Sequence, residues 1–384
     1  MHKIEVYQPK YYKKFQCTGS QCRDNCCHTW GIGLDKVTYD KYMSLDEETR
    51  TEFVEKISVL NEEPLNARMK LDEDGNCGFL DKRGMCTIHK RFGHEYLSYT
   101  CRTYPRKLNY VAGDAEAFLG LSCEVVARLI LLEQDIMRFE KATLEVDDQR
   151  VFENTLKAEK YTQAPNANDI FWKLRTASIV TVQSRRHRLW VRMLILGMFI
   201  KQASELLSEG KYDEIIEYAG KQPERLEKGF YDSLNEQLPG KDDLRIEFLN
   251  GLLSSMDRKQ NKIFSGILAR SRGALGISPD GDIPENFSED FQRYYETYFG
   301  DNEYIIENYV VSHIFSGGFP FNYKYEDSIM KNYKELLVKY NLVKLMLVGI
   351  SRHQMKFDKR RVVECVSSFS RAYDHHLGGA LLMK

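Results

Sequence analysis

The chain carries, near its amino terminus, the stretch Cys17-Thr18-Gly19-Ser20-Gln21-Cys22-Arg23-Asp24-Asn25-Cys26-Cys27. Four further cysteines follow at positions 77, 86, 101 and 123, and a ninth stands alone at position 365. Eight of the nine cysteines therefore lie in the first 123 of 384 residues, where an even distribution would place about three. This concentration indicates that the thiols of the amino-terminal third have a shared structural or functional role.

Two kinds of chemistry account for clustered cysteines, namely disulfide bonding and metal binding. Residues 1–14 are polar and rich in tyrosine, unlike a secretory leader, so we expect a cytoplasmic protein. Structural disulfides are rare in the reducing cytosol. The adjacent pair Cys26 and Cys27 also cannot form a bridge without straining the backbone. The cysteines therefore predict a zinc ion or an iron–sulfur cluster.

Long separations along the chain do not count against such a site. Closing a loop of about 50 residues rather than about four costs roughly 2 kcal/mol more, whereas a structural metal contributes on the order of 10–16 kcal/mol. Thiolate-rich sites suit zinc and iron–sulfur clusters alike, so the metal itself stays open. We expect a subset of four metal ligands among Cys17, Cys22, Cys26, Cys27, Cys77, Cys86, Cys101 and Cys123.

Within that set the short spacings favour Cys22, Cys26 and Cys27, together with Cys86 and Cys101. His28 and His89 stand beside cysteines and are alternative ligands, although a packed or solvated histidine is the favoured interpretation of His89. Cys365, far from the others, is expected to be a buried free thiol without a metal.

Composition excludes several classes of protein. With 42% hydrophobic and 29% charged residues, the chain has enough apolar surface to form a core and is not mainly disordered. Its net charge of −1 argues against a globally basic nucleic-acid binder. The best apolar run, residues 189–200, is much shorter than the ~20 residues of a membrane span and contains Arg192. We therefore expect neither a nucleic-acid nor a membrane partner.

The residue pattern predicts a mainly α-helical protein with two parts. Residues 1–125 are expected to form a Cys-rich α+β module that binds the metal, and residues 126–384 an α-helical domain against which it docks. In the module, we expect a helical stretch over 36–60 that buries one apolar face and hairpins over 79–89 and 107–121. Apolar residues at helical spacing predict helices over 168–182, 189–200, 212–219, 242–256, 259–271, 286–299, 305–315, 328–340, 343–352 and 362–373.

Smaller features complete this prediction. Leu34, Val37, Tyr42, Phe53, Ile57 and Leu60 are the expected buried face of the stretch over 36–60. Pro105 is expected to end any helix that carries Cys101, and Ser122 to cap the helix that follows it. The loops are expected over 163–168, 238–242 and 276–284, where proline and glycine concentrate. The basic stretch 185–188 is interpreted as a solvated helix end.

The cysteines and their neighbours resemble the flagellin lysine-N-methylase family, and the resemblance extends over nearly the whole chain. The amino-terminal part also resembles a broader class of small Cys-rich modules proposed to bind zinc or iron–sulfur clusters, which supports metal binding without supporting methylation. The stretches that carry the family resemblance are Cys17–Cys22, Cys26–Trp30, Gly75–Asp81, Gly84–His89, Leu97–Arg102 with Tyr104–Arg106, and Leu121–Cys123, followed in the helical part by Glu307–Tyr309 and Phe319–Phe321.

The family resemblance implies an enzyme that transfers methyl groups from S-adenosyl-L-methionine to lysine Nε of flagellin, and it implies a [4Fe–4S] cluster. Such an enzyme has to remove the proton of a lysine whose pKa is near 10.4, yet the sequence singles out no catalytic base. The turn Gly31-Ile32-Gly33 lacks the third glycine of a dinucleotide-binding loop, so the donor site is of another kind. Arg102 and Arg106 are candidates to grip the donor carboxylate or to bond cluster sulfurs.

Two other functions remain open on the sequence. One is a non-catalytic flagellin-binding or protein-binding factor with a structural metal. The other is an iron–sulfur radical enzyme, although Thr29 stands where the usual C-x3-C-x2-C motif requires its third cysteine after Cys22 and Cys26.

Overall fold

Two β-sheets occupy the first 156 residues of the computed structural model, and helices account for most of the remainder. The structure describes residues 2–22, 24–28, 30–62, 65–146, 152–234, 246–256, 262–278, 280–323 and 328–374. The strands are β1 (His2–Pro9), β2 (Gly33–Leu34), β3 (Ile57–Glu62), β4 (Leu65–Met69), β5 (Arg106–Val111), β6 (Asp114–Leu119), β7 (Phe139–Val146) and β8 (Asn154–Leu156).

The larger sheet has the strand order β7-β1-β6-β5-β8. Strand β1 pairs antiparallel with β7 over its full length, from His2 opposite Val146 to Pro9 opposite Phe139, and parallel with β6. Strands β5 and β6 form the hairpin predicted over 107–121, turning at Ala112 and Gly113 with φ of +46° and +92°. The smaller sheet has the order β2-β4-β3.

The helices agree with the predicted apolar stripes in most of the carboxy-terminal part. None of the described helices is both long and apolar enough to cross a membrane. Their bounds are α1 (Lys36–Met43), α2 (Glu47–Glu55), α3 (Thr87–Phe92), α4 (Tyr99–Thr103), α5 (Glu124–Leu131), α6 (Ala167–Gln183), α7 (Leu189–Ser208), α8 (Tyr212–Gly220), α9 (Gln222–Glu227), α10 (Ile246–Met256), α11 (Lys262–Ala274), α12 (Phe287–Phe299), α13 (Glu303–Ser316), α14 (Ile329–Gln354) and α15 (Lys359–Asp374).

Several helix predictions need correction. The helices predicted over 328–340 and 343–352 are one helix, α14, because no glycine or proline interrupts the backbone hydrogen bonds between them. Ser122 does not cap α5: the N-cap is Cys123, and the Ser122 hydroxyl instead lies 3.1 Å from the Tyr104 hydroxyl. The loop predicted over 238–242 lies outside the described residues, as do residues 242–245 and 259–261 of two predicted helices.

The single helical stretch predicted over 36–60 is wrong. Two short helices, α1 and α2, are followed by strand β3, whose hydrogen bonds come from β4. Tyr42, Phe53 and Ile57 are buried as expected, but Val37 is 58% exposed because α1 turns Thr38 and Tyr42 inward. A strand that pairs with a later segment cannot be distinguished from a continuing helix by local spacing alone.

The hairpin predicted over 79–89 is confirmed only at its turn. Leu80 and Cys86 form an isolated antiparallel bridge across the turn. Helix α3 begins at Thr87, so His89 lies on a helix rather than on the predicted strand. Pro105 follows α4, which carries Cys101 and ends at Thr103, in agreement with the expected helix stop.

The described residues form two main hydrophobic cores of unequal size. The smaller core lies within the Cys-rich region, and Cys27, Cys86 and Cys101 pack against it. The larger core joins β1, the β5–β6 hairpin and the helices, so it draws residues from both sides of position 125. The predicted division of the chain into two domains, residues 1–125 and residues 126–384, stays a prediction. The smaller core consists of Ile32, Leu34, Tyr42, Phe53, Ile57, Ala67, Met69, Cys77, Phe79 and Ile88.

Asp35 connects two helices of the Cys-rich region. Its carboxylate accepts hydrogen bonds from the Thr38 backbone N–H (2.8 Å), at the start of α1, and from the Tyr99 N–H (3.3 Å), at the start of α4. Burial works against the charged carboxylate, but the hydrogen bonds from Thr38 and Tyr99 outweigh it and lower the Asp35 pKa. The folded state therefore gains stability from this group at neutral pH.

Replacing Asp35 with alanine is expected to lower the free energy of unfolding at pH 7 by about 1–2 kcal/mol, since a helix cap is lost. Because the folded pKa lies below the unfolded one, the difference from wild type should vanish as the pH falls below about 3.9. Urea unfolding at several pH values measures it. Asp40→Ala, which removes an exposed ion pair with Lys36, is the control, with an effect of about 0.5 kcal/mol or less.

Candidate functional site

Five thiols from distant parts of the chain come together beside the smaller core. Cys26 and Cys27 lie in the loop before β2, and the Cys77 N–H donates to the Cys27 carbonyl at 2.8 Å. Cys86 precedes α3, and Cys101 lies on α4. The structure thus groups Cys77 with four of the five favoured cysteines.

Burial and neighbouring thiols both affect the ionisation of this group. Burial raises the Cys101 pKa to about 12, and negative charge on Cys26, Cys77 or Cys86 would raise it further. Burial likewise raises the Cys77 pKa to about 11. Cys26 differs, because a hydrogen bond from Cys27 lowers its pKa to about 7. One thiol of the group is therefore poised to ionise near neutral pH.

Cys22, Cys17 and Cys123 form a second group that adjoins the first through Cys26. The Cys22 thiol lies 3.1 Å from the Thr18 hydroxyl, and burial raises its pKa, with smaller contributions from Cys17 and Cys26. Burial raises the Cys123 pKa to about 12, and Cys22 and Cys26 add to it. Cys365 lies apart on α15 and is 1% exposed. All nine cysteines are free thiols.

The donor atoms suit a soft metal, but their present arrangement does not enclose one. Thiol sulfur is the donor preferred by zinc and by the iron of iron–sulfur clusters. Among the described residues, however, no three His, Cys, Asp or Glu side chains are placed so as to hold a metal ion directly. His28 has its Nε2 3.1 Å from the Asp74 carbonyl, and the His89 ring centre lies 6.3 Å from that of His94. The sulfur atoms are therefore of the right chemical type for a soft metal, but the described residues do not place them around one.

Arg371 of α15 ties the thiol-bearing loop to the helical part. This side chain is 1% exposed, and it bonds the Asp24 carboxylate and the Asp24 and Asn25 carbonyls. Its Nη2 also donates to the Ser122 carbonyl at 3.0 Å. Segments before Cys26 and before Cys123 are thereby held by one guanidinium from near the other end of the chain.

A cavity of 490 Å³ opens on the other side of the segment 120–123. Its walls come from the end of the β5–β6 hairpin, from α13 and from α14. Gly120 lines it, and a side chain there would lie 3.6 Å from Lys107 and 3.7 Å from Ser122. Gly120 and Leu121 of the cavity wall thus lie two to three positions before Cys123 in the chain. A volume of this size is typical of small-molecule and cofactor sites.

The cavity combines aromatic faces with charged and polar groups. Phe118, Phe319 and Phe321 supply the rings, while Lys107 and the Lys339–Glu335 pair (3.1 Å) supply the charges. His313 lines it too, and its Nε2 is buried without a hydrogen-bond partner among the described residues. Burial, assisted by Lys339, holds the His313 pKa well below its usual range, so its imidazole is neutral. A buried polar atom without a partner is uncommon and indicates a missing ligand or water.

The two arginines proposed from the sequence lie away from this cavity. Arg102 is on α4, and Arg106 begins β5 with its guanidinium over the Phe15 ring at 4.8 Å. Neither lines the 490 Å³ cavity, whereas the neighbouring Lys107 does. A role for Arg102 and Arg106 in binding the donor stays a prediction.

Sequence reasoning missed His313 and Arg371. His313 stands between Glu307–Tyr309 and Phe319–Phe321, the two helical stretches that carry the family resemblance, and that position was the available signal. Glu307 itself is fully buried and bonds Arg185 (2.8 Å) and Arg192 (2.5 Å). The interpretation of 185–188 as a solvated helix end holds only in part: Arg185 and Arg186 are exposed between α6 and α7, but Arg185 also pairs with the buried Glu307, and His187 is buried.

Fold and site together define a mainly helical protein in which a cysteine-rich region adjoins a cavity of ligand size. Residues 175–378, more than half of the chain, match the model of the FliB lysine N-methylase C-terminal domain, and the chain belongs to this family. The matched region includes α13 and α14, which line the cavity.

Three curated relatives share part of their sequence with the chain. The lysine-N-methylases of Salmonella typhimurium and Salmonella choleraesuis are each 35% identical over 147 residues, which is 38% of this chain and 37% of the relative. The flagellar biosynthetic protein FliU of Salmonella muenchen is 36% identical over 140 residues, 36% of this chain and 83% of that protein. The chain thus matches little more than a third of the length of the two methylases. No solved structure matches it significantly.

Proposed function

We propose that the chain transfers methyl groups from S-adenosyl-L-methionine to the side-chain nitrogen of lysine residues in flagellin. One observation carries the proposal: the region that matches the lysine N-methylase family contains the helices that build the 490 Å³ cavity. The curated relatives are named as lysine-N-methylases and as a flagellar biosynthetic protein, which supports flagellin as the acceptor.

The cavity offers groups that suit each part of the donor. The phenylalanine rings of Phe118, Phe319 and Phe321 suit a purine, and Lys107 or Lys339 suits a carboxylate. The unpartnered Nε2 of His313 is available for a hydrogen bond. When bound, S-adenosylmethionine supplies an activated methyl on a sulfonium sulfur, which keeps the electron pair as the S–C bond breaks and the N–C bond forms.

The chain has to make the acceptor amine reactive by removing its proton. A lysine in water has a pKa near 10.4 and is almost wholly protonated at neutral pH. Burial disfavours the charged ammonium and lowers that pKa, so a lysine side chain drawn into a closed, largely apolar site loses its proton to water.

The proposal includes a metal at the first thiol group. Cys26, Cys77, Cys86 and Cys101, with Cys27 beside them, are the proposed ligands of a [4Fe–4S] cluster or a zinc ion, because their sulfurs are soft donors and Cys27, Cys86 and Cys101 pack against the core that contains Cys77. The metal stabilises this region, and no step of methyl transfer is assigned to it. A cytoplasmic setting suits the nine free thiols.

Incubating the purified chain with flagellin and S-adenosylmethionine tests the activity, with intact-mass measurement of the flagellin. We expect mass increases equal to whole methyl groups, located on lysines by peptide mapping. Flagellin that binds the chain but stays unmodified would contradict catalysis and favour a binding factor. Accumulation of 5′-deoxyadenosine with a requirement for reductant would indicate radical chemistry instead.

Replacing His313 with phenylalanine is expected to weaken donor binding about tenfold, since the ring shape is kept and one hydrogen-bonding nitrogen is lost. Isothermal titration of the donor measures this effect, and circular dichroism checks the fold. His353→Phe, at an exposed position near the end of α14, is the matched control and should leave donor affinity unchanged. Equal affinities in all three proteins would remove His313 from the donor site.

A further inference from the structure

A second, smaller cavity of 260 Å³ lies between the amino terminus and α13. The 3-10 helix Lys10–Lys14 forms one wall, and the end of α5 with the loop after it forms another. Its floor is made by Tyr11, Ile130, Met137 and Asn308, each at most 9% exposed. The floor is thus largely apolar, with one amide.

That amide has an unused hydrogen-bond acceptor. Asn308 is 1% exposed, and its Nδ2 donates to the Glu133 carbonyl at 2.7 Å. This bond fixes the amide orientation, because a flip would set two oxygens against each other. Its Oδ1 is buried without a partner among the described residues. An acceptor held in this way is available to an N–H or O–H donor of a ligand or of water.

One pair of side chains links the wall of the smaller cavity to that of the larger one. Tyr11, in the floor of the smaller cavity, hydrogen-bonds the side chain of Ser312, which lines the larger cavity. Ser312 lies one helical turn after Asn308 on α13, on the same face. The walls of the two cavities therefore meet at adjacent turns of one helix.

We infer that the smaller cavity receives the side chain of the acceptor lysine, an inference that rests on the proposed function. The apolar floor at Ile130 and Met137 suits the lysine methylenes, and the Asn308 Oδ1 accepts a hydrogen bond from its nitrogen. The Tyr11 ring offers a face to the ammonium as it enters. A methyl donor in the larger cavity and an acceptor in the smaller one would then approach each other at Tyr11 and Ser312.

The rim of the smaller cavity carries charges of both signs. Glu133 and Asp135 are exposed at the mouth and attract an incoming ammonium. Lys14 is engaged with Glu133 at 3.3 Å. Lys10 and Arg138 remain at the rim and make a carboxylate ligand the competing possibility, which the experiment has to separate.

Binding of small probes without any methyl donor tests the inference. The probes are Nα-acetyl-lysine methylamide, its norleucine analogue, which lacks the amine, and the glutamate analogue, each titrated and followed by nuclear magnetic resonance. We expect saturable binding of the lysine probe alone. Asn308→Leu should weaken this binding between about tenfold and a hundredfold, as loss of a hydrogen bond to a charged group does.

Two further variants guard against a folding artefact. Ile136→Trp places a large ring at the 40% exposed rim and should block the lysine probe, whereas Val37→Trp, at an exposed position on α1, should leave it unchanged. Undiminished lysine-probe binding in both Asn308→Leu and Ile136→Trp, no saturable binding by wild type, or stronger binding of the glutamate probe would overturn the inference. Donor titration of the same proteins reports separately on the larger cavity, so failure of methyl transfer is distinguishable from failure of this assignment.

Discussion

Replacing Cys101 with serine is expected to abolish binding of the proposed metal and to destabilise the Cys-rich region severely. Cys101 lies among Cys26, Cys77 and Cys86 and packs against the smaller core, so it is central to the proposed ligand set. Structural metals contribute on the order of 10–16 kcal/mol to the folding of small sites. Iron, sulfide and zinc assays on anaerobically purified protein measure the loss, and urea unfolding measures the stability.

Two other cysteine variants make this experiment specific. Cys365→Ser changes a thiol that lies apart on α15 and should keep the full metal content. Cys17→Ser removes an exposed thiol of the second group, and we expect it to keep the metal as well. Loss of metal in Cys17→Ser together with retention in Cys101→Ser would assign the ligands to the second group. Absence of iron and zinc from the wild type would mean that the thiols serve another purpose.

Local sequence signals predicted the features whose partners are close along the chain. The β5–β6 hairpin follows from a turn at Ala112 and Gly113 between two strand-type runs. Helices such as α6 and α7 follow from apolar residues at helical spacing, whereas α13 is buried on every side over residues 304–312. Convergence of thiols was predicted from their number; Cys27, Cys86 and Cys101 pack against the core that contains Cys77, and their binding of one metal stays a prediction.

Features that depend on distant partners could not be predicted in this way. Strand β3 exists because β4 supplies its hydrogen bonds, and its residues alone resemble the end of a helix. The partners of Glu307 lie more than 100 positions earlier, at Arg185 and Arg192. Cys77 replaces Cys22 beside the favoured cysteines because the Cys27 carbonyl accepts its N–H, a contact between loops that spacing does not reveal. The cavities are likewise made by several elements at once.

The second large effect is expected at Arg371, the residue that joins the two ends of the chain. Replacing it with methionine keeps much of the apolar volume but leaves the Asp24 carboxylate without its cation. Three carbonyl groups, those of Asp24, Asn25 and Ser122, lose a donor at the same time. Breaking a buried ion pair by removing one partner costs about 3–5 kcal/mol, so the free energy of unfolding should fall by that amount.

Urea unfolding of Arg371→Met measures this cost. The control is Arg360→Met, at an exposed position on the same helix. The control should change the free energy of unfolding by no more than about 0.5 kcal/mol. Adding Asp24→Asn to Arg371→Met should recover part of the loss, because the stranded charge is then removed. Strictly additive effects of the two changes, or a cost below about 1 kcal/mol for Arg371→Met, would show that the guanidinium does not hold the loop. If the loop is released, Cys26 also loses the positive charge of Arg371, which helps to lower its pKa.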